Sequence, residues 1–186
     1  MRSLKLDAPH AIVVIGIQGS GKTFFAEKFA ETFNAPFLEE AMFTALARDE
    51  RTGKSMMDKV LSETLKTKNT IVIESVLSSK TERLALTKQL KKAGYETLFV
   101  WVQVDTDTAM ARSRRGSGIS TSEYTQQMNK FDSPELHEHP LVISGKHTFA
   151  TQVKAVLRRL TAETPRPPIS KPIRPDQSQR NRVIVR

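Results

Sequence analysis

The chain has no cysteine, which excludes a disulfide framework, a thiolate metal site and a cysteine nucleophile. It also lacks long apolar runs. No stretch approaches the roughly 18 residues of a membrane span, and residues 1–10 lack the apolar centre of a signal peptide. These absences lead to the expectation of a soluble, cytoplasmic chain with no membrane partner. Acids are fewer than bases, 20 against 29, and the resulting net charge of +9 suits polyanionic partners such as nucleotides or nucleic acids. Part of that excess is local, because residues 162–186 hold six bases and two acids. A length of 186 residues accommodates one domain with a substantial core.

What the chain does have is Gly16-Ile17-Gln18-Gly19-Ser20-Gly21-Lys22-Thr23, which fits the Walker A pattern G-x-x-x-x-G-K-[ST] at every fixed position. Glycines let the backbone curl with its N–H groups inward, forming an anion cradle that the positive end of the next helix continues. The context agrees. The apolar run 11–15 reads as a buried strand, and Phe25, Ala26, Phe29, Ala30 and Phe33 repeat at helical spacing after the loop. Gly16, Gln18, Gly19, Ser20, Gly21, Lys22, Thr23 and Phe24 are therefore the candidate nucleotide-binding residues. Lys22 is placed to bridge the β- and γ-phosphates, and the Thr23 hydroxyl to meet Mg²⁺.

Further along, Ala35-Pro36-Phe37-Leu38 reads as a short strand ending at the paired acids Glu39 and Glu40. Two helices are expected over 42–48 and 55–65, the second burying Met57, Val60, Leu61 and Leu65. Thr52-Gly53 reads as the break between them, with Ser55 as an N-cap. Residues 70–74 form a β-branched strand closed by Glu74, the form of a Walker B site, where the acid would hold a metal-bound water or orient the nucleophile. A helix over 79–93 stopped by Gly94, strands over 95–104 and 141–143, and a helix over 149–160 complete the pattern. Strands alternating with helices indicate parallel βαβ units that bind ligands beyond the strands' carboxyl ends. Gly16, Glu39, Glu74 and Asp105 all fall at such ends.

Residues 106–115 read as a helix bearing Arg112, Arg114 and Arg115; it runs into Gly116-Ser117-Gly118 and a second helix over 122–129. This is a candidate lid over about 106–131, whose arginines would neutralise the γ-phosphate and exclude water. Asn129-Lys130-Phe131-Asp132 matches the guanine-reading N-K-x-D, but it follows a polar stretch instead of a buried strand and has no D-x-x-G partner. A GTPase is not indicated. Gly145 and Lys146, after the last strand, are candidate base contacts. His137, His139 and His147 lack the spacing of a metal set. From Ala162 the composition turns to proline, arginine and polar residues, so 1–161 is expected to be the folded domain and 162–186 a basic, disordered tail able to engage nucleic acid. Val183-Ile184-Val185 is a candidate added strand for an exposed sheet edge.

With the phosphate loop, Ile71-Val72-Ile73-Glu74, Glu82-Arg83-Leu84-Ala85-Leu86 and Arg112-Ser113-Arg114-Arg115-Gly116 in place, residues 11 to 160 resemble the small P-loop kinases. The kinase domain of phage-type polynucleotide kinases is the nearest likeness. The resemblance implies an α/β fold, a three-layer α/β/α P-loop NTPase sandwich with a four- or five-stranded parallel sheet and a helical lid. It also implies Mg²⁺ and ATP, with phosphoryl transfer to a hydroxyl. Lys22 and Thr23 carry over directly, Arg115 matches the lid arginine that contacts the transferring phosphate, and Glu74 stands within one residue of a Walker B-like aspartate. At the general base the family has an aspartate followed closely by an acceptor-holding arginine. Here the segment reads Leu38-Glu39-Glu40-Ala41-Met42-Phe43-Thr44, with no basic residue before Arg48. The expectation is an ATP-dependent kinase acting on a hydroxyl, a polynucleotide 5′-hydroxyl among the candidates. Lys22, Arg112, Arg115, Glu39, Glu40 and Glu74 would serve catalysis, and Thr23 and Glu74 the metal. Two alternatives are a small-metabolite or nucleotide kinase on the same fold and a nucleotide-switched nucleic-acid-binding protein without turnover.

Overall fold

Six consecutive buried residues, His10–Ile15, form strand β1. A run with no polar face is stable only inside a sheet covered on both sides. In the computed structural model, which describes residues 4, 6–75, 77 and 79–163, that is where it lies. The elements in order are β1, α1 (Lys22–Phe33), β2 (Phe37–Glu39), α2 (Glu40–Leu46), α3 (Glu50–Leu65), β3 (Ile71–Glu74) and α4 (Lys80–Lys92). They are followed by β4 (Glu96–Gln103), α5 (Thr106–Ser117), α6 (Thr121–Asn129), a 3₁₀ turn (Leu136–Glu138), β5 (Leu141–Ser144) and α7 (Phe149–Glu163).

All pairings are parallel, in the order β2-β3-β1-β4-β5, so the sheet has five strands. Strand alternation splits the core. Ile12, Val14, Leu98, Val100 and Val102 pack with Phe25 and Phe29 of α1 and Val156 and Leu160 of α7. Ala11, Val13, Ile15, Ile71 and Ile73 pack instead with Met57, Leu61 and Leu65 of α3 and Leu90 of α4. The result is a three-layer sandwich. Register fixes the site, since Val14 pairs with Glu74 and Glu74 with Glu39, aligning the acids beside the loop that leaves β1.

Several boundaries differ from the sequence expectation. Thr52-Gly53 is not a break, and Ser55 is not a cap: α3 starts at Glu50, where Asp49 accepts a hydrogen bond from the Thr52 N–H at 2.8 Å. Gly53 lies buried within the helix, its Cα close to the Thr44 backbone of α2. In sequence, a glycine that admits a closely crossing backbone looks the same as one that forms a turn. Val60 is largely exposed, while Met57, Leu61 and Leu65 are buried. Gly116 and Ser117 continue α5, which ends at the left-handed Gly118. β2 starts at Phe37, and α7 continues through Ala162 and Glu163. Residues 164–186, with most of the expected tail and the Val183-Ile184-Val185 strand, lie outside the described residues. Among the described residues no helix is long and apolar enough to cross a membrane.

Candidate active site

The loop after β1 has Gly16, Gly19 and Gly21 at positive φ. Gly19 illustrates the need: at φ 77° a side chain would be strained, and a Cβ would collide with the Ala109 carbonyl of α5. The phosphate loop thus packs directly on the first lid helix. Gln18 ties the two together, donating from Nε2 to Ser117 Oγ at 2.8 Å.

Lys22, the first residue of α1, lies with Nζ 3.8 Å from Glu74 Oε1 and donates to the Ile17 carbonyl at 3.3 Å. Burial pushes its ammonium below the ordinary lysine value, and the nearby Glu74 charge pulls it back up. Burial pushes Glu74 above the usual carboxylate range; Lys22 and the Thr23 hydroxyl oppose that shift, while Glu39 and Glu40 add to it. Thr23 Oγ1 donates to Glu74 Oε1 at 3.1 Å, whereas the buried Glu74 Oε2 has no hydrogen-bond partner among the described residues. A hydroxyl and a carboxylate side by side, with one carboxylate oxygen unsatisfied, fit Mg²⁺, which takes one or two protein oxygens and fills its shell with phosphate oxygens and water. Among the described residues no group of three histidine or carboxylate side chains is placed to hold a metal.

One cavity of about 1290 Å³ runs from this loop across the carboxyl edge of the sheet. Its far side is formed by Glu39 and Glu40, by Glu50, Lys54, Met57 and Asp58 of α3, by Glu82 and Leu86 of α4, and by Tyr124, Gln127 and Met128 of α6. Glu40 accepts a hydrogen bond from the Ser75 hydroxyl and lies 4.0 Å from Lys54, which also meets Glu50 at 3.1 Å and Glu82 at 3.8 Å. Glu39 borders the cavity beside Glu74.

The structure brings Gln18, Lys22, Thr23, Phe24, Glu39, Glu40, Glu74 and Arg112 to this one cavity. Ser20 lies buried behind the loop, under Gly145. Arg112 reaches out from α5 and donates to the Gly145 carbonyl at 3.1 Å. Arg115 is exposed, bonds to the Ala111 carbonyl of its own helix and does not line the cavity. Of the two, Arg112 is the one that lines the cavity beside the phosphate loop. Gly145 and Lys146 also stay outside the cavity; the Gly145 N–H donates to the Gln103 carbonyl, and Lys146 pairs with Asp105. That pairing, with the Thr108 contacts, holds Asp105 well below the usual carboxylate range and turns it into the α5 cap.

Sequence reasoning missed Lys54, Ser75 and Tyr124 as cavity residues, and Arg83 as an anchor. Lys54 was detectable as the i+4 partner of Glu50 once Asp49 is taken as the cap. Arg83 is 1% exposed and fully paired, donating to both oxygens of Glu138 at 2.6 and 2.9 Å and to the Asp132 carbonyl at 2.9 Å. It fastens the chain leaving the lid onto α4. The N-K-x-D stretch begins at the last residue of α6 and does not follow a strand.

The model of the AAA domain family matches residues 12–132, from β1 through the phosphate loop to the end of the lid. The chain belongs to the AAA domain family. Among the curated proteins none matches the chain in sequence. Several solved structures share the fold. A gluconokinase from Sinorhizobium meliloti is 20% identical, with a TM-score of 0.62 over 83% of this chain and 93% of its own. A protein from Chloroflexus aurantiacus is 18% identical, with a TM-score of 0.70 over 86% of this chain and 100% of its own. Kti12 from Chaetomium thermophilum, solved with ADP-AlF3, is 15% identical, with a TM-score of 0.63 over 82% of this chain and 98% of its own. At these identities the likeness establishes the P-loop NTPase fold of this AAA domain, and its neighbours include small kinases.

Proposed function

We propose that this AAA-domain protein is a kinase that transfers the γ-phosphoryl group of ATP to a hydroxyl of a compact organic acceptor. The observation that carries the reading is the single cavity joining Lys22 and Thr23 to the carboxylates of Glu39 and Glu40. Drug-sized ligands occupy about 300–1,000 Å³, so a volume of about 1290 Å³ has room for a nucleotide and a second molecule.

In the proposed reaction the acceptor oxygen forms a bond to the γ-phosphorus as the bond to the β–γ bridging oxygen breaks. The electron pair leaves with ADP, and the hydroxyl proton passes to a carboxylate. Glu39 is assigned as that base, since Glu40 is held by Ser75 and Lys54. Lys22 exchanges Glu74 and the Ile17 carbonyl for phosphate oxygens, and Arg112 adds positive charge from the lid. Mg²⁺, held by Thr23 Oγ1 and through water by Glu74, would neutralise charge on the phosphate oxygens. A polynucleotide 5′-hydroxyl is the less favoured acceptor, because no arginine of the described residues lines the far side of the cavity and acids dominate it.

Labelled γ-phosphate from ATP, offered to nucleosides, sugars, amino alcohols and 5′-hydroxyl oligonucleotides, tests the reading. Transfer to a small acceptor that falls at least about 10²-fold in Glu39→Gln, within the usual range for a positioned base, is the expected result. Labelling of oligonucleotides alone would replace the compact acceptor with a polynucleotide.

A further inference from the structure

The acceptor half of the cavity has a chemistry of its own. Glu39, Glu40, Glu50, Asp58 and Glu82 line it, and Lys54 is shared among three of them at 3.1 to 4.0 Å. Those carboxylates, Glu50 first, hold the Lys54 ammonium above its ordinary value. The site thus already stabilises one ammonium, and acids still outnumber the bases around it. Lys22 and Arg112 belong to the phosphate half, where a triphosphate consumes their charge. Lys130, the remaining base of the lining, lies exposed beyond the end of α6.

Apolar side chains line the same half, Met57 and Leu61 from α3, Leu86 from α4, Met128 from α6 and Phe131 just after it, with Trp101 packed against Phe131 at 6.4 Å between ring centroids. Tyr124 of α6 lines the same cavity, is 1% exposed, and its hydroxyl has no hydrogen-bond partner among the described residues. A buried hydroxyl left unsatisfied is costly unless something completes it. An anionic acceptor would meet like charge here, whereas a cationic one would relieve it.

We infer that the acceptor carries a protonated amine as well as its hydroxyl, on a compact, partly apolar frame seated between the carboxylates of α2–α4 and the face of α6 that bears Tyr124. The inference rests on the kinase reading and names the substrate class of that same site. The amine stays protonated and is not the nucleophile. Its role is to orient the molecule so that the hydroxyl oxygen attacks the γ-phosphorus, with ADP leaving and the hydroxyl proton passing to Glu39.

Matched trios test it in the full chain with Mg²⁺ and ATP: glucosamine, glucose and gluconate, and the amino, unsubstituted and carboxy derivatives of cyclohexanol. The expected result is kcat/KM for the amines at least about tenfold above that for the carboxylates, the scale of a hydrogen bond to a charged group. Glu50→Gln combined with Asp58→Asn is expected to narrow the amine-over-neutral ratio by about threefold. Tyr124→Phe is expected to raise the acceptor KM about three- to tenfold while kcat holds. Equal or better transfer to carboxylates, transfer to neutral members alone, or Lys22-dependent ATP hydrolysis with no amine labelled would each overturn the acceptor class and leave the phosphoryl chemistry standing. If neither transfer nor hydrolysis depends on Lys22, the kinase reading falls and the acceptor class with it.

Discussion

At the scale of single residues, Gly53 sets two effects against each other. Alanine in a helix interior gains about 1 kcal/mol over glycine, yet a Cβ at position 53 would lie 2.8 Å from Thr44 Cα and 3.0 Å from its N. Backbone atoms yield less readily than a side-chain tip, and overpacking of this kind costs about 1–3 kcal/mol. Gly53→Ala is therefore expected to lower the urea midpoint; a rise would mean that α2 and α3 separate without cost. Glu39 and Glu40 form a second contrast. Glu39→Gln should depress kcat at near-normal stability, whereas Glu40→Gln, which disturbs Ser75 and Lys54, should affect both, measured by steady-state kinetics beside thermal melts. Lys22, Thr23 and Glu74 were legible in the sequence because neighbouring residues specify the loop and the strand end fixes the acid. Lys54 was legible only as the i+4 partner of Glu50, and not as a cavity residue; Tyr124 was not legible at all, since nothing near it in the chain shows which helices will face it. Arg112 and Arg115 differ only in which side of α5 meets the loop, and that depends on Gly19 packing against Ala109.

Among the elements, the strands were read nearly to the residue, because continuous burial leaves little freedom in a parallel sheet. The join between α2 and α3 was misread, since a glycine required by packing resembles one required by a turn. The anchor between α4 and the 3₁₀ turn was invisible for another reason: Arg83 and Glu138 are 55 positions apart. Removing one partner of a buried pair typically costs about 3–5 kcal/mol, so Glu138→Gln should unfold at clearly lower urea at neutral pH. The Arg83 hydrogen bonds hold the Glu138 carboxyl below the usual range. A depressed folded-state value contributes stability that is complete above the ordinary carboxylate pKa, about 4.3, and is lost as pH falls through the lowered value. The gap between wild type and Glu138→Gln should accordingly be widest at neutral pH and close in acid. A gap that widened as pH fell would contradict the assignment.

For the molecule as a whole, the parallel α/β architecture and the gathering of Gly16, Glu39 and Glu74 at one sheet edge followed from strand-helix alternation alone. The size and acidity of the acceptor half did not, because α3, α4 and α6 build it from residues distant in the chain. The net charge of +9 therefore describes the surface and tail better than the cavity, whose acceptor half is acidic. Since α7 continues through Glu163, we propose 164–186 as a basic tail separate from the kinase domain. Removing residues 164–186 should leave transfer to a compact acceptor unchanged while weakening any salt-sensitive retention on nucleic acid, checked by paired assays at low and high salt. The most direct test of the kinase assignment is the rate of γ-phosphate transfer from ATP to the acceptor panel by wild type and Lys22→Ala. A fall of at least about 10²-fold, the scale for losing one positioned electrostatic stabiliser, is the predicted result. Near-normal transfer by Lys22→Ala would contradict the assignment of the site.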